Sequence, residues 1–285
     1  MDIMCEEGAV IVRTSCFEPM QIFENGQAFR FTSCGENAYH GVAYGRYLRV
    51  EKRDDTVRFS PCTKQEFEEI WRHYFDFDRD YNALFCDCED AALARGREYG
   101  CGLRMLNQQP FETLISFIVS ANNNIGRIRG IIAKICELAG EQFSYNGEIY
   151  YRFPTPNALA ELSCEELVAC GSGYRAPYIK RTARLIADGF SLEELKSKKY
   201  ADAKAALQTL PGVGPKVADC VLLFSLGFHD AFPADVHVKR VLRDNYGFEG
   251  NDKQIYEFAK ERFGEYAGIA QQYLFFRQLT DTAKK

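Results

Sequence analysis

The chain of 285 residues has no apolar run near the ~18 residues needed to cross a bilayer, so no membrane partner is expected. Its first residues, Met1-Asp2-Ile3-Met4-Cys5-Glu6-Glu7, lack the basic n-region and apolar core of a secretory leader. No C-x-x-C pair occurs. The tightest pair, Cys86-Asp87-Cys88, holds an acid between its thiols and has no histidine close by, which argues against a zinc site. The 11 cysteines are odd in number, in a long chain without an export signal, and read as free thiols in a reducing compartment. None follows Cys220. Repeats and low-complexity segments are missing as well. So is any excess of positive charge: 35 basic side chains face 40 acidic ones, a net charge of −5. That balance argues against a general polyanion binder and leaves room for a local basic face.

What is present is an ordinary globular composition. The chain is 46% hydrophobic and 26% charged, which excludes a disordered, collagenous or coiled-coil protein. At ~150 residues per domain the length suggests about two domains. The first ~60 residues show strand periodicity. Ala9–Val12 forms one run. Met20–Phe23 and Ala28–Phe31 flank Asn25-Gly26, a favoured hairpin dipeptide. Tyr39–Val50 alternates, and Thr56–Phe59 follows. An antiparallel meander is expected. At Thr63 the period changes. Thr63-Lys64-Gln65-Glu66, Ser163-Cys164-Glu165-Glu166 and Ser191-Leu192-Glu193-Glu194 are capping boxes, and Thr155-Pro156 sets another helix start. From about 108 onward nearly everything reads as helical. A boundary near 100–108 divides an N-terminal antiparallel β domain with flanking helices (1–105) from a helical domain (106–285).

The stretch richest in chemistry is Leu210-Pro211-Gly212-Val213-Gly214-Pro215-Lys216-Val217-Ala218-Asp219-Cys220. A helix ends at Gln208–Thr209, two glycines make a tight turn, and Pro215 suits the first position of the next helix. Such a turn is either a plain connector or a set of free amides facing an anion. Lys216 falls in the first helical turn, where the helix dipole disfavours a cation. It is either a solvated phosphate contact or an amine placed to act as a nucleophile. Downstream, Phe232-Pro233-Ala234-Asp235-Val236-His237 puts Asp235 at another helix start. There it caps, and its negative charge can also stabilise a developing cation. His237, a turn in, is either a plain surface histidine or a donor to a phosphate.

Leu-Pro-Gly-Val-Gly-x-Lys followed by Pro-x-Asp-Val-His resembles the helix-hairpin-helix DNA glycosylases, and the full set resembles the 8-oxoguanine DNA glycosylase branch of eukaryotic type. The resemblance runs from about Gly26 to Phe275. It implies an α+β protein with a small antiparallel N-terminal domain of the TATA-box-binding-protein kind. An all-α core would follow, its last helices packing back toward that domain. Relatives that only hydrolyse the glycosidic bond generally lack the lysine, so Lys216 implies a bifunctional glycosylase/lyase. Endonuclease III relatives carry a C-terminal four-cysteine iron–sulfur cluster. With no cysteine after Cys220, no cluster and no required cofactor are expected. The alkylpurine branch usually lacks the lysine.

The remaining roles are carried over by the same resemblance. Lys216 is the nucleophile and Asp235 its electrostatic partner. Gly26 offers a carbonyl to N7–H, a donor present in 8-oxoguanine and absent from guanine. Cys220 and Phe275 pack on the two faces of the purine, and Gln271 bonds its Watson–Crick edge. In Ser120-Ala121-Asn122-Asn123-Asn124-Ile125-Gly126-Arg127, Asn122 fills the gap left by the flipped base and Arg127 reads the orphaned cytosine. Three asparagines fit a helix interior poorly, so a loop or helix start is expected there. In Gly173-Tyr174-Arg175, Tyr174 is the wedge and Arg175 bonds the cytosine. Arg175, Lys180, Arg181 and Arg184 supply a local basic face. The amides of Gly212, Val213 and Gly214, with His237 and a possible monovalent cation at the hairpin backbone, take phosphate. Phe224 stands where relatives have a smaller, flexible side chain. Damaged double-stranded DNA is the expected partner. The protein is expected to be a monomer, in the cytoplasm of a bacterium or the nucleus of a eukaryote. Two alternatives stay open: a glycosylase of the same fold for an alkylated purine, and a non-catalytic helix-hairpin-helix DNA-binding module.

Overall fold

The computed structural model describes residues 2–283, with side chains through Phe276. Six strands make one antiparallel sheet in the order β1-β2-β6-β5-β4-β3. They are β1 (Asp2–Glu6), β2 (Ala9–Arg13), β3 (Phe31–Gly35), β4 (Ala38–Ala43), β5 (Arg46–Arg53) and β6 (Thr56–Ser60). Alternation sets the faces. Val10 and Val12 on β2, Leu48 and Val50 on β5, and Val57 and Phe59 on β6 are all fully buried. They meet an aromatic layer in which Phe17 stacks on Phe77 at 5.6 Å and Phe59 lies 5.3 Å from Phe75. α1 (Pro19–Phe23) and a helical stretch close that face. The stretch comprises α2 (Lys64–Glu66), a π-helical turn at Phe67–Trp71 and α3 (Arg72–Tyr74). The Thr63 capping box opens it as expected.

Two readings of this region are corrected. Met20–Phe23 is not a strand. Pro19 starts a helix at its first position, and the short helix buries Ile22 and Phe23, with Phe23 stacked 4.2 Å from Phe31. Asn25-Gly26 is therefore not a hairpin turn. Residues 24–30 form an irregular strip that leaves the sheet, and β3 begins only at Phe31.

The helical part follows α4 (Ala91–Tyr99). It contains α5 (Pro110–Ser120), α6 (Ile125–Ala139), α7 (Pro156–Glu161), α8 (Cys164–Ala169), α9 (Ala176–Ala187), α10 (Tyr200–Gln208), α11 (Pro215–Ser225), α12 (Val236–Tyr246), α13 (Asp252–Phe263) and α14 (Ala267–Ala283). A small hairpin of β7 (Gln142–Tyr145) and β8 (Glu148–Tyr151) interrupts it, which the helical reading passed over. The Thr155 cap and the Ser163 box form. At Ser191 the hydroxyl accepts from Glu194 N–H at 3.2 Å, but the helix it opens is only a 3-10 segment, Glu193–Ser197.

The two parts are stitched by buried polar groups. Gln27, fully buried, donates to the carbonyls of Ile22 and Arg104 and accepts from Leu106 N–H, at 2.8–3.0 Å. Arg104 lies between Phe77 and Tyr81, 4.7 and 4.9 Å from their centroids, and donates to the Cys16 and Asp76 carbonyls. α14 packs back along α4. There Gly96 is needed for room, since a Cβ would sit 3.0 Å from the Tyr273 carbonyl oxygen.

Candidate active site

The hairpin between α10 and α11 is built by close approach. Gly212 has φ +79°, and a Cβ there would lie 2.8 Å from Tyr178 Cβ on α9. Thr182, also on α9, donates its hydroxyl to the Pro211 carbonyl at 2.9 Å. α11 begins at Pro215 with no side-chain cap. The amides of Gly212 and Gly214 have no hydrogen-bond partner among the described residues, but that of Val213, expected beside them as a phosphate donor, is turned back on the Leu210 carbonyl at 3.2 Å and closes the turn. These orphan donors, at the positive end of a helix, form an anion seat.

Lys216 sits one residue inside that seat. Its Nζ lies 5.1 Å above the Phe117 ring. Phe117 is itself stacked on Phe224 at 5.4 Å and packed edge-on against Phe29 at 5.6 Å. One turn on, the Cys220 thiol is fully enclosed. Burial pushes it up to about 12, while Lys216, hydrogen-bonded to it, pulls the other way. Asp235 also acts on this thiol electrostatically, so amine, thiol and carboxylate form one cluster. Asp235 caps α12 with a single oxygen. Its Oδ1 accepts from His237 N–H and Val238 N–H, both at 2.9 Å. Its Oδ2 takes no hydrogen bond among the described residues.

α12 and α14 meet beside this cluster. The rings of His237 and Phe275 are 6.3 Å apart and nearly perpendicular. Gln271 is buried, its Oε1 accepting from Gln272 at 2.9 Å. The crevice between Phe232, Leu242, Gln271 and Phe275 has no room for a water molecule. Gly26 lies across the molecule's seam, in the strip at 24–30. Its φ of +81° demands glycine although a Cβ would touch only Ile125, at 3.9 Å. Asn25 Oδ1 accepts from Gln27 N–H at 3.1 Å, an Asx turn that fixes the peptide. The Gly26 carbonyl accepts nothing among the described residues.

The three asparagines each do something different. Asn122 takes a left-handed φ of 49° and is exposed. Asn123 donates back to the Val119 carbonyl. Asn124 caps α6 through Arg127 N–H at 3.0 Å. Arg127 is exposed and makes no ion pair among the described residues. Tyr174 is 57% exposed, whereas Arg175 is 6% exposed. The Arg175 guanidinium lies 4.4 Å from the Tyr174 centroid. It donates to the carbonyls of Ala121, Asn122 and Ser172. Arg175 is thus turned inward and ties the Tyr174 segment to the Asn122 turn. The expected basic face is partly spent too. Lys180 donates to the Leu162 carbonyl and Arg184 pairs with Glu161, while Arg181 is exposed.

Asp219, not among the expected site residues, also shapes the hairpin. It is buried on α11, bonded to Tyr200 at 2.7 Å and Lys204 at 2.8 Å. These contacts clamp the two hairpin helices together. An acid inside the apolar run Val217–Leu223 was the available signal.

Fold and site together define a helix-hairpin-helix protein of base-excision DNA repair: residues 115–265 match the model of that superfamily. Residues 9–114 match the 8-oxoguanine DNA glycosylase N-terminal domain, and the chain belongs to the 8-oxoguanine DNA glycosylase family. It is 36% identical to a probable N-glycosylase/DNA lyase of Methanothermobacter thermautotrophicus, covering 80% of this chain and 81% of that one. An N-glycosylase/DNA lyase of Arabidopsis thaliana is 32% identical, over 90% and 76% of the two chains. The solved structure of Clostridium acetobutylicum 8-oxoguanine glycosylase/lyase with double-stranded DNA carrying cytosine opposite 8-oxoguanine superposes with a TM-score of 0.94. Its identity is 37%, over 99% of both chains.

Proposed function

We propose that the protein excises 8-oxoguanine opposite cytosine from duplex DNA and then nicks the strand as an AP lyase. The observation that carries this is the Lys216–Cys220–Asp235 cluster at the mouth of an uncapped helix. Phosphates beside the lesion bind the amides of Gly212 and Gly214 and His237. The carbonyls of Gly212 and Val213 accept no hydrogen bond among the described residues, an oxygen set suited to a monovalent cation that would add positive charge there. Tyr174 and Asn122 enter the stack, and the lesion turns out by ~180°. Its N7–H meets the Gly26 carbonyl, Cys220 and Phe275 flank its faces, and Gln271 takes its Watson–Crick edge. Arg127, already free, reads the cytosine. Arg175 joins it by releasing the Ala121 and Asn122 carbonyls.

The free amine of Lys216 attacks C1′. The C1′–N9 bond breaks, and its electron pair leaves with the base, which gains a proton. Asp235 faces the positive charge that develops at the sugar. The attached nitrogen loses a proton, the C1′–O4′ bond breaks as its electron pair goes to O4′, which takes up a proton, and the opened sugar is held to Lys216 as a protonated Schiff base. Loss of a C2′ proton then expels the 3′ phosphate by β-elimination. No redox step is involved.

Borohydride trapping on a duplex with one 8-oxoguanine opposite cytosine tests this. Wild type forms a covalent adduct and Lys216→Gln forms none. An adduct or undiminished base release with Lys216→Gln would overturn the assignment.

A further inference from the structure

The outward face of α12 carries side chains that the reaction does not use. Val236, Lys239, Arg240 and Arg243 follow at steps of three, four and seven residues, which is one stripe of a helix. All four are exposed, Val236 by 73%. They wall a groove of about 350 Å3 floored by Phe248 and Ile255, with Glu249 on its far rim as the one acid in its lining. A solvent-facing valine at the head of a cationic row is poor design for a merely solvated face.

The cations are available. Lys239 pairs with Asp252 at 2.9 Å and Arg243 with its neighbour Asp244 at 3.1 Å, all four side chains being roughly half exposed. Exposed pairs of this kind contribute little and exchange readily for a stronger anion. Arg240 makes no ion pair among the described residues. The stripe begins one residue after Asp235 and runs about 10 Å to Arg243. It therefore continues directly from His237, in the first turn of α12.

We propose that this groove is a second phosphate track. The DNA strand leaving the active site lies along α12, its phosphates paired with Arg240, Lys239 and Arg243, and Val236 packs against a sugar at the entrance. The track rests on the reading that this protein binds duplex DNA. It gives a chain of net charge −5 a row of three exposed cations, two of them held by acids that a phosphate would displace.

The test measures binding in the Lys216→Gln background, with the salt dependence of affinity on a lesion duplex. Removing one cation–phosphate pair lowers the slope of log K against log salt by ~0.9. Arg240→Gln lowers it by about one. The triple variant Lys239→Gln, Arg240→Gln, Arg243→Gln lowers it by nearly three, a difference of about 40-fold over a four-fold rise in salt. Asp252→Asn acts oppositely: it frees Lys239, tightens binding and steepens the slope. Truncating the duplex close to the lesion, one side at a time, abolishes the difference between parent and triple variant on one side. Unchanged slopes overturn the track. So does a difference that survives both truncations, since the cations would then act only as bulk charge. Failure of wild type to release base would count against the proposed function and leave these slopes readable.

Discussion

Asp235 spends one carboxylate oxygen on two backbone amides and keeps the other clear. Capping and chemistry can therefore be separated by a single atom change. Asparagine caps as well as aspartate, so Asp235→Asn leaves thermal stability within a few tenths of a kcal/mol. The charge is lost, and single-turnover base release falls by ~10²-fold or more. An equal loss of stability and activity would reduce Asp235 to a cap. Arg175 makes a different case. Its three carbonyl acceptors would be left unpaired in Arg175→Ala, at a cost of about 1–3 kcal/mol. The loosened Asn122 turn should also relax the preference for cytosine, read with lesion duplexes of each opposite base. Lys216, Asp235 and Gly212 were legible because helix starts and tight turns are written in local residue types. The inward turn of Arg175 was not, because its acceptors lie on a turn 53 and 54 residues away.

At the scale of the element, α11 carries its own pH signature. Burial raises the Asp219 carboxyl to about 6, against the pull of Lys204 and Tyr200; Asp252 adds to the rise. A folded-state value above the unfolded one means that protonation favours the fold. The contribution is fully present below pH ~4 and is lost as pH rises through about 6, a span worth about 3 kcal/mol. Stability measured from pH 4 to 7 in wild type and Asp219→Asn should therefore diverge, the wild type losing more with rising pH. Parallel curves would mean that the Lys204 pair fully offsets the burial. Capping signals placed α2, α7 and α8 correctly, since caps are local chemistry. Met20–Phe23 misled because four residues are too few to distinguish a strand from a helix by periodicity; Pro19 was the deciding residue. The β7–β8 hairpin did carry signals, the alternation Gln142-Phe143-Ser144-Tyr145 and the turn dipeptide Asn146-Gly147, but strands of four residues are too short to stand out between long helices.

For the whole molecule, the change of period at Thr63 revealed a sheet followed by helices. It could not show how the two are joined, which depends on Gln27 and Arg104 finding carbonyls far along the chain. Gln27→Ala strands three backbone groups in a buried seam and should cost about 2–4 kcal/mol, read by denaturant unfolding. Because Gly26 shares the strip that Gln27 anchors, lesion selectivity should fall as well. The crevice beside Gln271 and Phe275 admits not even a water molecule. A repair protein sliding on DNA meets vast numbers of sound bases for each damaged one. If Gln271 and Phe275 receive the base as proposed, these closed walls must part before a base can enter, and each inspection waits for α12 and α14 to open. Selectivity would then be partly a matter of time spent per base pair, governed by how fast the His237–Phe275 contact opens and shuts.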